Sequence, residues 1–168
     1  MRIYKSIFEV KKIIYGFLFL LSIVVFMISA CKLISIYFPK NLEKENFTID
    51  WKALKKKNPD VVGWILIPDT DISYPIVQGS DNSYYLNHTF EKKENYAGSI
   101  FMDAGVDASF QDRNTTIYGH NVKHGTMFAE LENFKEQTFF EKHPYLYIFT
   151  EKQNYRCEIF SMYTTAAT

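Results

Sequence analysis

Residues 64–77 read Trp-Ile-Leu-Ile-Pro-Asp-Thr-Asp-Ile-Ser-Tyr-Pro-Ile-Val, and this pattern decides the fold class. Two short runs rich in isoleucine and aromatic residues flank the polar triplet 69–71, which is typical of two β-strands joined by a tight turn. Pro68 and Pro75 predict that both strands lie near the edge of a sheet, because proline cannot donate a ladder hydrogen bond.

Short elements of the same kind continue on both sides of this stretch. Thr48 or Asp50 can cap a helix that begins at Trp51 and ends before Asn58-Pro59. Further along we expect a helical turn at 81–86, strands at 99–102 and 115–118, an amphipathic helix at 126–134, and a hairpin of strands 145–150 and 155–163. Short strands with helices between them predict a mainly β, barrel-like domain. Since no closing element follows the last strand, we expect the barrel to be incomplete, with its C-terminal strands missing.

The N-terminal region differs from the rest in charge and hydropathy. Residues 13–31 form an uncharged run of 19 residues, which as a helix would span roughly 28 Å, close to the hydrocarbon core of a bilayer. Residues 1–40 hold six basic residues against one acidic residue, while the remainder is net acidic. The pattern predicts a cytoplasmic N-terminus at 1–12 and a transmembrane anchor at 13–38. It also predicts a stalk and helix at 39–60 and a barrel domain at 61–168, giving a single-pass cell-membrane protein whose barrel is extracytoplasmic.

Two alternatives to a permanent anchor stay open. A signal peptide could be cleaved in this region, although the apolar sequence that follows is atypical of a mature N-terminus. Residues 28–31 also resemble a lipobox, in which Cys31 would be lipidated after cleavage.

Composition excludes several classes of protein. A length of 168 residues predicts one domain, and 19 basic against 19 acidic residues give no sign of a nucleic-acid-binding protein. Cys31 and Cys157 are the two cysteines of the sequence, which excludes a disulfide framework and a four-cysteine zinc site.

His120 is the best candidate for acid–base chemistry. It follows Gly119 at the end of a predicted strand, where a side chain projects into a cleft and glycine allows a ligand to approach closely. His120 and His124 have a spacing that suits zinc on a helix, but the glycines that flank the pair disfavour a helix, so we predict no metal site. A calcium site at Asp103, Asp107 and Asp112 is disfavoured as well, because the loop spacing for that ion is lacking.

Cys157 could act as a thiol nucleophile with His120, since thiolate catalysis requires a nearby base. Its position in the middle of a predicted strand, beside aromatic residues, favours a wall or core cysteine instead.

A family resemblance emerges from seven segments taken together. In order and spacing the chain resembles class B sortases over about residues 48–168, on these segments: 58–65, 74–79, 81–86, 98–103, 114–121, 125–128 and 159–163. These enzymes are membrane-anchored cysteine transpeptidases of Gram-positive bacteria, which cleave a C-terminal sorting signal after threonine and join the surface protein to a peptidoglycan amine. The resemblance implies an eight-stranded closed barrel with an N-terminal helical extension, and no cofactor.

The resemblance also implies roles for individual residues. His120 matches the catalytic histidine, Tyr118 lies at the same strand end, and Asn82 and Leu86 match positions that line the sorting-signal groove. The family nucleophile lies in a later Thr-Leu-x-Thr-Cys strand end and its oxyanion-binding arginine follows, so we expect this chain to be an N-terminal portion that is inactive alone. A sorting-signal binding module without turnover and a membrane-tethered envelope scaffold are the alternatives.

Overall fold

The computed structural model describes residues 14–30, 48–123 and 125–165. The chain divides into two units, residues 1–49 and residues 50–168. In the first unit, residues 14–30 form helix α1. Within the described ranges, no helix is both long and apolar enough to cross a bilayer. The transmembrane anchor predicted for 13–38 is therefore not confirmed. The cytoplasmic segment predicted for 1–12, residues 31–38 of the predicted anchor and residues 39–47 of the predicted stalk lie outside the described residues.

The second unit begins with helix α2, Trp51–Lys57. Asp50 caps it, because a carboxylate oxygen of Asp50 accepts a hydrogen bond from the Ala53 N–H at 2.9 Å. The helix ends at Asn58, whose backbone is extended as expected before a proline. The predicted helix and one of its two predicted caps are confirmed.

Six strands form one sheet in the order β4-β3-β2-β1-β5-β6, in which β2 and β3 are parallel and all other neighbours are antiparallel. The strands are β1 Val61–Leu66, β2 Ser73–Val77, β3 Ile100–Met102, β4 Ile117–Tyr118, β5 Tyr145–Phe149 and β6 Asn154–Glu158. The hairpin of residues 64–77 is thus the centre of the sheet.

The turn between β1 and β2 is closed by local hydrogen bonds. The Ile67 N–H donates to the Ile72 carbonyl at 2.9 Å, and the Thr70 hydroxyl donates to the Ile67 carbonyl at 2.8 Å. The expectation that the prolines mark edge strands is wrong. Pairing between β2 and β3 begins at Ile76, directly after Pro75, so this part of the ladder does not require the missing N–H.

The sheet buries apolar residues on both faces. One face carries the main cluster, which consists of Ile65, Ile67, Ile72, Ile76, Ile100, Met102, Phe134 and Ile148. On the other face Val61, Val77, Tyr85 and Phe101 pack with Trp51 and Leu54 of α2. Helix α2 therefore covers this face, which is the outer face of a curled, half-barrel sheet.

An apolar cavity of about 430 Å³ lies on the inner face. Its walls come from β1, β4, β5 and β6 and from the segments around Phe110 and Phe128. The mainly β fold is confirmed, whereas the closed eight-stranded barrel stays a prediction, because the described residues supply six strands with β4 and β6 at the edges.

Three elements differ from expectation. The helix predicted for 126–134 is a 3-10 helix, Ala129–Lys135, because Met127 has a φ of 58°, which is incompatible with a helix that starts at Thr126. A short helix α3, Gln137–Lys142, was not expected. The last strand ends at Glu158 rather than continuing to 163, and Phe160 beyond it is 92% exposed.

Candidate active site

His120 lies two residues beyond the end of β4, as its position in the sequence predicts. It is half-buried and faces a cavity of about 280 Å³ that it shares with Tyr96 and residues 121–123. Its carbonyl accepts a hydrogen bond from the Phe128 N–H at 3.0 Å. The space beside Gly119 is filled by Ile100 and Phe128, with which a Cβ at this position would collide. Glycine here allows close packing of the protein itself rather than the approach of a ligand.

Among the described residues, one nitrogen of the His120 ring has a hydrogen-bond partner. Nε2 lies 2.8 Å from the Leu86 carbonyl oxygen. A carbonyl oxygen only accepts hydrogen bonds, so in this arrangement Nε2 carries a hydrogen. The neutral imidazole consequently has its unprotonated lone pair at Nδ1, which is the nitrogen left for proton transfer.

Leu86 ends a short 3-10 turn, Tyr84–Leu86. Asp81 starts this segment, because its Oδ1 accepts hydrogen bonds from the Ser83 N–H, the Tyr84 N–H and the Ser83 hydroxyl, at 2.7–2.8 Å. These bonds, that of the Ser83 side chain first, lower the pKa of Asp81. The Leu86 side chain is 43% exposed, so this residue offers its carbonyl to His120 and an apolar surface to solvent.

Asp103 connects Asn82 and Tyr118. Its Oδ2 accepts a hydrogen bond from Asn82 Nδ2 at 2.8 Å and another from the Tyr118 hydroxyl at 2.9 Å. Its Oδ1 accepts from the Gly105 N–H at 2.8 Å. Three donors to one carboxylate, the backbone N–H of Gly105 foremost, lower the pKa of Asp103, and the same carboxylate raises the pKa of Tyr118.

The second polar end of the Asn82 amide is also engaged, since its Oδ1 accepts from the Ala104 N–H at 2.8 Å. The four residues that the sequence indicates thus form two pairs, and hydrogen bonds connect the two members of each pair. Asn82 and Tyr118 meet through Asp103, and Leu86 meets His120 directly.

Cys157 is placed apart from these pairs. It lies on β6, half-buried in the wall of the 430 Å³ apolar cavity, as the wall-cysteine interpretation predicts. Burial raises the pKa of its thiol and so disfavours the thiolate that a nucleophile needs.

The metal candidates are not assembled in the described residues. No group of three or more His, Cys, Asp or Glu side chains there could hold a metal ion. His124 lies outside the described residues. Asp103, considered for calcium, uses its carboxylate for the bonds described above, and Asp112 accepts from the Asp107 N–H at 2.7 Å.

Comparison with known proteins decides the family. The Sortase domain family matches residues 65–168. The chain belongs to the sortase family, and within it to class B. It is 46% identical over 114 residues to sortase B of Listeria monocytogenes and 38% identical over 122 residues to sortase B of Staphylococcus aureus. These matches cover 68% and 73% of the chain but 46% and 50% of the relatives, so the chain spans about half the length of the curated relatives it matches.

Solved sortase structures share the fold. A complex of sortase B from Bacillus anthracis is similar with a TM-score of 0.67 and 46% identity, covering 70% of this chain and 56% of that one. A Staphylococcus aureus sortase B–substrate complex is similar with a TM-score of 0.63 and 40% identity, covering 66% and 47%. The resemblance inferred from the seven sequence segments is confirmed.

Sequence reasoning did not find two residues that organise this part of the sortase fold. The sequence offers Asp103 as a calcium ligand, whereas its position directly after an apolar strand is the signal that indicates a hydrogen-bond acceptor for neighbouring residues. Tyr85 gave no usable signal, because its partners Asn58 and Asp60 are remote in sequence.

Proposed function

We propose that this chain is the histidine-bearing part of a sorting transpeptidase, which cleaves a C-terminal sorting signal after threonine and links the surface protein to a peptidoglycan precursor amine. The observation that carries the proposal is the placement of His120, with Nε2 bonded to the Leu86 carbonyl and Nδ1 left for chemistry. The class B sortase relationship supports the reaction type.

In the proposed reaction His120 begins as an imidazolium. A cysteine thiolate attacks the threonyl carbonyl carbon, and the C–N bond breaks as His120 gives its Nδ1 proton to the departing amine. The acyl group is then bound to sulfur as a thioester. When the acceptor amine attacks this thioester, Nδ1 takes the proton that the amine loses, and the thiolate leaves. Throughout the cycle Nε2–H keeps its bond to Leu86, so the ring does not have to turn.

The remaining catalytic groups belong to the family pattern. In this proposal the cysteine of the Thr-Leu-x-Thr-Cys strand end and the arginine that binds the oxyanion lie beyond residue 168, and residues 1–168 alone do not turn over. Leu86, Asn82 and Tyr118 contribute to the groove that holds the sorting signal. Leu86 offers apolar contact, whereas Asn82 and Tyr118 act through Asp103 by fixing the adjacent loop.

The test uses an extended version of the protein that includes the downstream cysteine and arginine. His120→Ala should lower kcat/KM for sorting-peptide transpeptidation by about 10²–10⁴-fold, the usual contribution of a positioned acid–base group, with little change in peptide binding. His143→Ala is the matched control, because His143 lies at the end of α3 and contacts Asp69 and Phe139. Full activity of His120→Ala would exclude the proposal.

A sorting-signal binding module without turnover is the second candidate. It is favoured by the fact that Leu86, Asn82 and Tyr118 are already organised in the described residues. Binding of a sorting peptide by the 168-residue chain without cleavage would agree with both candidates. Cleavage that is lost on Cys157→Ala would contradict both, because it would make Cys157 the nucleophile.

We also propose that the protein is held in the cell membrane by its N-terminal region, with the sheet domain outside. The proposal rests on the uncharged run 13–31, on its basic flank, and on the apolar side chains of α1, which are 43–72% exposed. Protease added to spheroplasts should digest the part after Phe38 and spare an N-terminal tag. Protection of the C-terminal part would exclude this topology.

A further inference from the structure

The Leu86 carbonyl can orient His120 only if the backbone that carries it is itself fixed. Three contacts hold this backbone. The Ser99 N–H donates to the Tyr85 carbonyl at 2.9 Å, the Ser99 hydroxyl donates to the His88 carbonyl at 2.7 Å, and the Tyr85 side chain extends into the outer core.

Tyr85 is the deepest of these anchors, since its exposed fraction is zero. Its hydroxyl donates to Asp60 Oδ2 at 2.7 Å and accepts from Asn58 Nδ2 at 2.7 Å. Asn58 is also completely buried, and its Nδ2 donates a second bond to the Phe90 carbonyl at 2.7 Å. Asp60 is paired with Lys92 at 2.9 Å.

This network joins four parts of the chain. Asn58 ends α2, Asp60 precedes β1, Tyr85 belongs to the turn below His120, and Phe90 and Lys92 lie in the following loop. Burial and the Asp60 carboxylate both raise the pKa of Tyr85, so its hydroxyl keeps the proton that it donates. The Tyr85 hydroxyl therefore donates to the Asp60 carboxylate, which can only accept, and accepts from the Asn58 Nδ2 group, which can only donate.

Gly98 lets the opposing backbone come close enough to complete the arrangement. Its φ is 61°, and a Cβ at this position would lie 2.5 Å from the Leu86 carbonyl oxygen and 2.6 Å from that of Tyr85. The Tyr84–Leu86 turn is thus fixed in two ways. The Tyr85 side chain is hydrogen-bonded in the outer core, and the backbone of residues 98–99 packs against the Tyr85 and Leu86 carbonyls.

We propose that Tyr85 is a positioning residue for His120, which fixes the Leu86 carbonyl against Nε2 and thereby reserves Nδ1 of the imidazole for proton transfer. Where it concerns catalysis, this inference rests on the proposed function. The quantity that it predicts is the tautomer of His120, which can be measured without turnover. Because a carbonyl oxygen cannot donate, a fixed Leu86 carbonyl stabilises the Nε2–H tautomer and leaves the Nδ1–H tautomer without this bond.

The experiment measures the His120 tautomer in the 168-residue chain by 15N NMR of the imidazole nitrogens, with His120→Gln used to assign the signals. Wild type should show a protonated Nε2 and an unprotonated Nδ1 above the pH at which the ring is charged. In Tyr85→Phe the ring still fills the core while the hydroxyl bonds are lost. The Nδ1–H tautomer should then rise roughly two- to tenfold relative to Nε2–H, which is the range expected for one weakened hydrogen bond.

Tyr155→Phe is the matched control, because the Tyr155 hydroxyl is also hydrogen-bonded, but to Gln111, Gln153 and Ser109. It should leave the His120 tautomer unchanged. Hydrogen exchange of the Ser99 amide reports separately on the Tyr85 backbone. Faster exchange in Tyr85→Phe with an unchanged tautomer would overturn the proposal, since it would show a purely structural role.

If Tyr85→Phe fails to fold, Asp60→Asn provides a milder weakening of the same network, and an unchanged His120 tautomer in that folded variant would overturn the proposal as well. In the extended enzyme, an altered tautomer with His120-dependent activity would support both proposals. An altered tautomer with activity that does not depend on His120 would reject the proposed function while keeping this inference.

Discussion

The two edge strands of the sheet are stabilised in different ways. Near β4, directional hydrogen bonds tie Asp103 to Asn82 and Tyr118, and Leu86 to His120. Near β6, half-buried Tyr155 and Cys157 line an apolar cavity, and Phe160 and Tyr163 beyond the strand are 92% and 77% exposed. Hydrogen bonds fix atoms in direction as well as distance, whereas apolar burial does not. The β4 edge therefore fixes the direction of the groups around the candidate histidine. At the β6 edge the hydrogen bonds of Tyr155 run to Gln111 and Ser109, and Cys157 lies in an apolar wall.

The largest expected loss of stability comes from a substitution at Gly98, which packs against the backbone that carries the Leu86 carbonyl. Gly98→Ala should destabilise the sheet domain by about 2–5 kcal/mol, because it combines a strained positive φ with a collision against the Tyr85 and Leu86 carbonyls. Gly125→Ala is the control. Its φ is 83°, but no atom of the described residues lies within 4 Å of the added Cβ, so only the strain of about 1–2 kcal/mol applies. Urea unfolding of both variants measures the difference, and equal losses would show that the close approach at Gly98 is unimportant.

An intermediate effect concerns the Asp103 carboxylate and depends on pH. Its pKa is lower in the folded state than in the unfolded state, so its contribution to stability is present above the unfolded pKa and is lost as pH falls through the folded pKa. The stability difference between wild type and Asp103→Asn should therefore be greatest near neutral pH and shrink below about pH 4. Urea unfolding at a series of pH values tests this, with Asp71→Asn as a control for removal of an exposed carboxylate. A difference that does not vary with pH would contradict the role of the ionised group.

A smaller effect sharpens the description of the β6 edge. Because burial raises the pKa of Cys157, its thiolate fraction near neutral pH is lower than that of a solvated cysteine, and alkylation should be slower. In a Cys31→Ser background, mass spectrometry should show iodoacetamide labelling of Cys157 that is slower than that of glutathione and accelerates with pH. Labelling faster than glutathione would indicate an activated thiol and reopen its role as a nucleophile.

The smallest effect lies beyond β6. Phe160→Ala should change the free energy of unfolding by less than about 0.5 kcal/mol, since the side chain is 92% exposed. Ile148→Ala, on neighbouring β5, should cost about 2–5 kcal/mol because Ile148 is buried in the main cluster. A large loss in Phe160→Ala would contradict this exposure, because it would mean that other residues cover the Phe160 side chain in solution.

Local sequence patterns predicted much of the fold. Asp50 and Asn58-Pro59 delimit α2, and residues 64–77 form two strands and a turn, because caps, turns and strand alternation depend on residues that are close in sequence. The predictions failed where a nearby backbone conformation or a distant partner decides the outcome. Met127 in the left-handed region delays the helix after it, and the parallel partner β3 places Pro75 in the middle of the sheet.

The sequence by itself determined the family, the mainly β class and the candidates Asn82, Leu86, Tyr118 and His120. Only the tertiary structure decided which partners these residues have, because those partners are distant along the chain. His120 and Leu86 are separated by 34 residues, and Asn82 and Asp103 by 21. Which backbone carbonyl meets an imidazole depends on sheet order and on buried anchors such as Tyr85, and a linear pattern of residue types contains neither.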